Sequence, residues 1–163
     1  MKTILLLLLL SSSVCLAQEN TLELDVRNAV LDVLTKHIDQ EIVGRTPKNI
    51  AYLFSITLSF NSFGKIDTVY FPKTVSRPVQ DVMKLNSALV GKIKSRDFTF
   101  TKYASRLVLI SIFYKRIDDT ALDYSSGFLK SFENLLPKLD SNMSQKAWVI
   151  LDPIHVPFSL RTN

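Results

Sequence analysis

Two imidazoles, one adjacent pair of aspartates and a single tryptophan are the residues of this 163-residue chain best equipped for chemistry or recognition. His37 and His155 lie far apart, and no HExxH, CxxC or carboxylate cluster completes a metal set, so no metal site is expected. Asp118 and Asp119 come nearest to the paired carboxylates of acid–base catalysis. Adjacent strand residues face opposite ways, however, and Lys115-Arg116-Ile117-Asp118-Asp119-Thr120 reads as a solvated strand end, without the burial that tunes a carboxyl. The one hydrolytic arrangement on offer would set Asp118 or Asp119 beside His155. Four glycines in the whole chain leave no phosphate-cradling loop, and no Gly-x-Ser-x-Gly elbow occurs. No cofactor is expected, and the residues favour a non-enzymatic protein.

Recognition chemistry concentrates near the C-terminus. Trp148, Ile150, Asp152, His155 and Phe158 are the candidate partner-binding residues. Pro153 and Pro157 cannot donate to a ladder, which places this extended stretch at a sheet edge or outside the sheet. The competing reading is that Trp148 packs inward and the strand completes the core.

The first seventeen residues describe a secretory signal peptide: Lys2 supplies a positive charge, Ile4 to Leu10 an apolar run, and Cys15-Leu16-Ala17 a small-residue cleavage site. The run is too short for the roughly 20 residues of a membrane-crossing helix. The expected organisation is therefore a signal peptide over 1–17 and one domain over 18–163, periplasmic or secreted and bacterial. Lipid attachment at Cys15 is the alternative, with only part of a lipobox around it. Cys15 is the sole cysteine, so the remaining chain has no disulfide and depends on apolar packing. Asn142-Met143-Ser144 is a glycosylation sequon, a pattern that chance often supplies.

The formal net charge is +5, and loss of Lys2 lowers it by one. Lys92, Lys94, Arg96, Lys102 and Arg106 fall close together and would attract nucleic acid or anionic surfaces. Their place near a helix C-terminus gives cations a simpler task, offsetting the negative dipole end, and an exported chain meets little nucleic acid. No nucleic-acid partner is expected.

The elements that must position these residues follow from periodicity. Asn20 and Glu23 have capping-box spacing, and Leu22, Val26, Ala29, Val30, Val33, Leu34 and His37 mark the inner face of a helix stopped near Gly44, with His37 packed on that stripe. From Ile50 to Asn61 the period is two. Tyr52, Phe54, Ile56, Leu58 and Phe60 face the core, while Ser55, Thr57, Ser59 and Asn61 face away. Asn61 to Lys65 is a turn with Gly64 able to take positive φ, and Ile66 to Phe71 is the second hairpin strand, closed by Pro72. Ser76 or Arg77 caps a helix with Pro78 in its first turn, lined by Val79, Val82, Met83, Asn86, Leu89, Val90 and Ile93. Leu107 to Tyr114 is a third strand, apolar on both faces. Phe128, Leu129, Phe132, Leu135, Leu136 and Leu139 keep helical spacing, interrupted by Pro137. Ala147 to Leu151 is the fourth strand. The expected fold is α+β, an antiparallel or mixed sheet of about four strands packed against two to three helices in the order α-β-β-α-β-α-β.

The succession of hairpin, helix and strand from Ile50 to Ile117, with Gly64-Lys65-Ile66-Asp67-Thr68-Val69 as its closest local match, resembles the C-terminal domain of TonB-type energy transducers. The chain also looks like the small exported proteins of Bacteroidetes-type bacteria. Energy transduction itself needs a permanent anchor and a long Pro-rich span, which this sequence lacks. The resemblance implies the fold and a habit of binding partners by strand addition. The expected function is thus a binding module that engages a peptide or envelope protein through a sheet edge. A carrier for an apolar ligand, lined by Phe54, Phe60, Phe98, Phe100, Phe113 and Tyr114, is the alternative. Oligomeric state is not legible.

Overall fold

Alternation of apolar residues in the first strand builds the centre of the molecule. In a computed structural model describing residues 26–124, 127–139, 143 and 145–159, strand β1 (Ala51–Phe60) pairs antiparallel with β2 (Ile66–Tyr70) on one side and with β3 (Arg106–Arg116) on the other. The final strand β4 (Ala147–Phe158) joins β3 in parallel, giving one mixed sheet in the order β2-β1-β3-β4. This is the expected α+β class. The signal peptide, the Cys15 site, the Asn20/Glu23 box and two of the three sequon residues lie outside the described residues.

Helices pack on the face that carries Tyr52, Phe54, Ile56, Leu58 and Phe60. Helix α1, described over 26–37, buries Val26, Val30, Val33 and Leu34. Asp39 then caps α2 (Gln40–Gly44), its carboxylate accepting from the Glu41 and Ile42 amides. Past the hairpin, α3 (Arg77–Met83) starts behind Ser76 with Pro78 in its first turn and ends at Lys84 in a left-handed conformation. Asn86 restarts the chain as α4 (Ser87–Lys94), accepting from the Leu89 amide. Both expected helices are therefore broken in two by an Asx cap, which offers the backbone a competing partner. His37 is half-buried and bridges the breaks, with Nε2 3.0 Å from the Lys84 carbonyl and Nδ1 3.1 Å from Lys92 Nζ.

The opposite face departs from expectation. Ser55, Thr57 and Ser59 are fully buried, not solvent-facing. A parallel β3-to-β4 connection has to cross the sheet, and this one runs over that second face as α5 (Phe128–Glu133) and the extended chain after it. Ser55 Oγ donates to the Leu135 carbonyl, Lys146 Nζ to Ser59 Oγ at 2.8 Å and to the Phe60 carbonyl at 2.9 Å. Leu135, Leu136 and Leu139 are not helical: α5 stops at Glu133, and Pro137 bridges to Pro72 beyond the end of β2. No residue of α5 is buried, and Leu129, Phe132 and Leu136 stay exposed.

Candidate binding edge

β4 is an edge strand that changes faces partway along its length. From Trp148 to Leu151 the even residues lie over the second face and the odd ones over the core, with Val149 opposite Val108 and Leu151 opposite Ile110. The register then slips between Ile110 and Ile112, so Asp152 and Pro153 both oppose Ser111. Such a bulge accommodates a proline inside a strand and reverses the parity beyond it. Ile154, Val156 and Phe158 face the core, and His155 the second face, beside Phe113.

This divides the expected partner-binding residues. Trp148 is 39% exposed, Ile150 70%, and Asp152 and His155 are also exposed on the second-face side. Phe158 is 8% exposed and stacks on Tyr114 at 4.6 Å, so it belongs to the core. Burial, reinforced by Tyr52, pushes the Tyr114 phenol up to about 12. Trp148 neither completes the core nor stands free.

Hydrogen bonding fixes what the edge offers. The Ile117 amide donates to the Phe158 carbonyl at 2.8 Å, so Phe158 turns its backbone toward β3. Backbone groups alternate sides along a strand, hence those of Pro157, His155 and Pro153 point outward. The Pro153 carbonyl accepts from Arg27 Nη2 of α1 at 3.3 Å. With two prolines at these positions, the outer edge from Pro153 onward presents a single amide, that of His155. Between this edge and α1 lies an open cleft of about 320 Å³, lined by Arg27, Asn28, Leu31, Pro153, Ile154 and His155.

A row of rings, not anticipated from sequence, extends inward from the edge. His155 meets Phe113 at 5.5 Å, Phe113 meets Phe128 at 5.9 Å, and Phe128 meets Tyr124 at 5.8 Å. Phe113 and Phe128 stood out as apolar residues, but only the crossover brings them together.

The hydrolytic arrangement is not assembled. Arg116 grips Asp118 through two nitrogens, at 3.1 and 3.0 Å, and this hydrogen-bonded guanidinium holds the Asp118 carboxyl below its ordinary range. Asp119 is buried rather than solvated, accepting from the Asn49 amide at 2.8 Å, while its carbonyl accepts from Lys115. Both aspartates tie down loops. His155 pairs with Phe113, several strand positions away. The six rings proposed for a carrier are also divided: Phe54, Phe60, Phe100 and Tyr114 are packed in the core, Phe98 is exposed, and Phe113 lies on the second face. Among the described residues no group of three His, Cys, Asp or Glu side chains could hold a metal, and no helix is long and apolar enough to cross a membrane. Comparison with protein families, curated proteins and solved structures gives no match.

Proposed function

We propose that this chain is an exported, non-enzymatic binding module that takes an extended peptide, or an extended segment of an envelope protein, along the outer edge of β4. The observation that carries the reading is the pairing of an edge strand with two exposed large apolar side chains, Trp148 and Ile150, on the stretch that contains no proline. An added strand would bond to the backbone between Ala147 and Leu151 and set alternate side chains against Trp148 and Ile150. The prolines stop the pairing at Pro153, where the cleft beside α1 receives the rest of the ligand. The strand-addition habit implied by the TonB-like hairpin agrees with this mode.

The sole tryptophan makes the site observable. Ten-residue peptides alternating Val or Ile with Thr or Lys are titrated against the protein while Trp148 emission and backbone amide shifts are followed. Binding should blue-shift the emission, perturb the amides of Ala147 to Leu151, and weaken at least about tenfold in Ile150→Glu, a loss of the size that one buried apolar contact supplies. Shifts confined to another surface, or affinity indifferent to Ile150→Glu, would refute the reading.

A further inference from the structure

The hairpin end of the sheet, the end at which β4 begins, holds a second exposed apolar group beyond the other side of β1. Phe63, at the tip of the β1–β2 hairpin, is 76% exposed, and Phe98 in the adjoining loop is 48% exposed. A phenylalanine on a slack loop would fold back onto the protein; this one is held out. Asn61 Oδ1 accepts from the amides of Phe63 at 2.9 Å and Lys65 at 3.0 Å, while its carbonyl accepts from Gly64 and Ser105. The Phe100 amide donates to the Gly64 carbonyl at 2.7 Å. Gly64 sits at φ 76°, and a Cβ there would come within 2.6 Å of the Phe100 carbonyl oxygen, so the two loops are locked together. Phe98 in turn rests on Phe100 at 6.0 Å.

Cations lie on the segments that adjoin these rings. Lys65 follows the tip, Lys94 ends α4, Lys102 lies in the turn before β3, and Arg106 opens β3 beside Ser105. The nearby carboxylates are Asp97, paired with Lys65 at 3.1 Å, and Asp67 in β2. Lys94 falls in the last turn of α4 and Lys102 in that of the short 3-10 turn Thr101–Tyr103, with its Nζ 5.9 Å from the Tyr103 ring, so the capping role expected for the basic run leaves Arg106 without a dipole to offset. Exposed aromatic rings on a fixed turn, with lysine and arginine on the adjoining segments, match the two layers of an anionic bilayer surface, apolar below the headgroups and negative at them.

We infer that the end bearing Phe63 and Phe98 docks on the surface of a membrane rich in anionic lipid, without spanning it. The site lies on the β1–β2 side of the sheet, with β3 between it and β4, and does not depend on the peptide-binding reading.

The test uses the full chain with Phe63→Trp and vesicles of phosphatidylcholine with 30% phosphatidylglycerol, compared with pure phosphatidylcholine, each with and without brominated lipid. Tip insertion is expected to quench the new tryptophan in anionic vesicles more strongly than Trp148 of the unaltered chain. Phe63→Ser should lower partitioning about tenfold, the share of a half-immersed ring. Lys65→Glu with Lys102→Glu should lower it by more than about tenfold, and 0.5 M salt should release the protein. Quenching absent at position 63, equal partitioning into both vesicle types, or partitioning unmoved by Phe63→Ser would overturn the inference and assign the tip to a protein partner.

Discussion

Ile150 and Ile154 are the same residue type, four positions apart on one strand, and an unbroken strand would set both on one face. The bulge at Asp152 and Pro153 separates them: Ile150 is 70% exposed and Ile154 only 5%. Truncation to alanine therefore tests the parity switch directly. Ile154→Ala removes three carbons from a filled site, about 2.4 kcal/mol of transfer free energy at ~0.8 kcal/mol per methylene. The cavity left behind brings the expected loss to about 2–5 kcal/mol. Ile150→Ala gives up less than a third of that burial, so its loss should stay below about 1 kcal/mol. Urea unfolding followed by far-UV circular dichroism reads both, with equal m-values securing the comparison. Equal losses, or a greater loss at Ile150, would mean that the strand runs through Pro153 without changing faces and that the exposed apolar surface assigned to β4 is misplaced.

The second face gives a contrast of its own. Ser55→Ala strips the Leu135 carbonyl of its donor and should cost about 1–3 kcal/mol, whereas Thr57→Val replaces a buried hydroxyl that has no partner among the described residues and should be neutral or stabilising; a urea melt in which Thr57→Val is the more damaging would reverse the assignment. Acid should also weaken the fold. Lys36 holds the Asp32 carboxyl below its ordinary value, Lys84 does the same for Asp39 and Arg116 for Asp118. The folded chain thus binds these protons less tightly than the unfolded one, so their contribution is complete above about pH 4 and disappears as pH falls through the depressed values. The urea midpoint should hold from about pH 7 to 5 and drop below about pH 4, less steeply in Asp118→Asn; a decline that begins near neutrality would point to other groups.

Periodicity carried the sequence reading far on the core face and failed on the other. Phe54, Ile56 and Leu58 alternate with serines and threonines, and that pattern correctly assigns the inward set. Polarity misled for Ser55 and Ser59, because a hydroxyl can be buried when a crossing chain brings a partner, and no local pattern encodes where the crossover lies. The same gap explains α5: Leu129 and Phe132 have the spacing of an inner face, but spacing does not say what the face packs against, and here they are exposed. Other signals were present and undervalued. Asp39 and Asn86 each announce a new helix start within what reads as one long helix. At the candidate edge the residue types were legible but their burial was not: tryptophan in a strand suggests inward packing, yet Trp148 is 39% exposed, and the inward turn of Phe158 needed the bulge, which Pro153 hinted at without fixing its parity.

Among the described residues β4 is the last strand in sequence and the only one paired in parallel, joined to β3 by a crossover. The antiparallel β2-β1-β3 pairs lie wholly within the chain up to Lys115, so they can form while β4, which is made later, is still unattached. Until the closing residues arrive, β3 is itself a border strand, and Leu107 to Tyr114 presents an apolar ribbon with open hydrogen-bonding groups to anything nearby. A chain emerging from a ribosome or a translocation channel passes through that state every time it is made. The C-terminal strand therefore serves the molecule as a late-arriving seal, and shielding β3 during that interval is the step at which this fold is most vulnerable to misassembly.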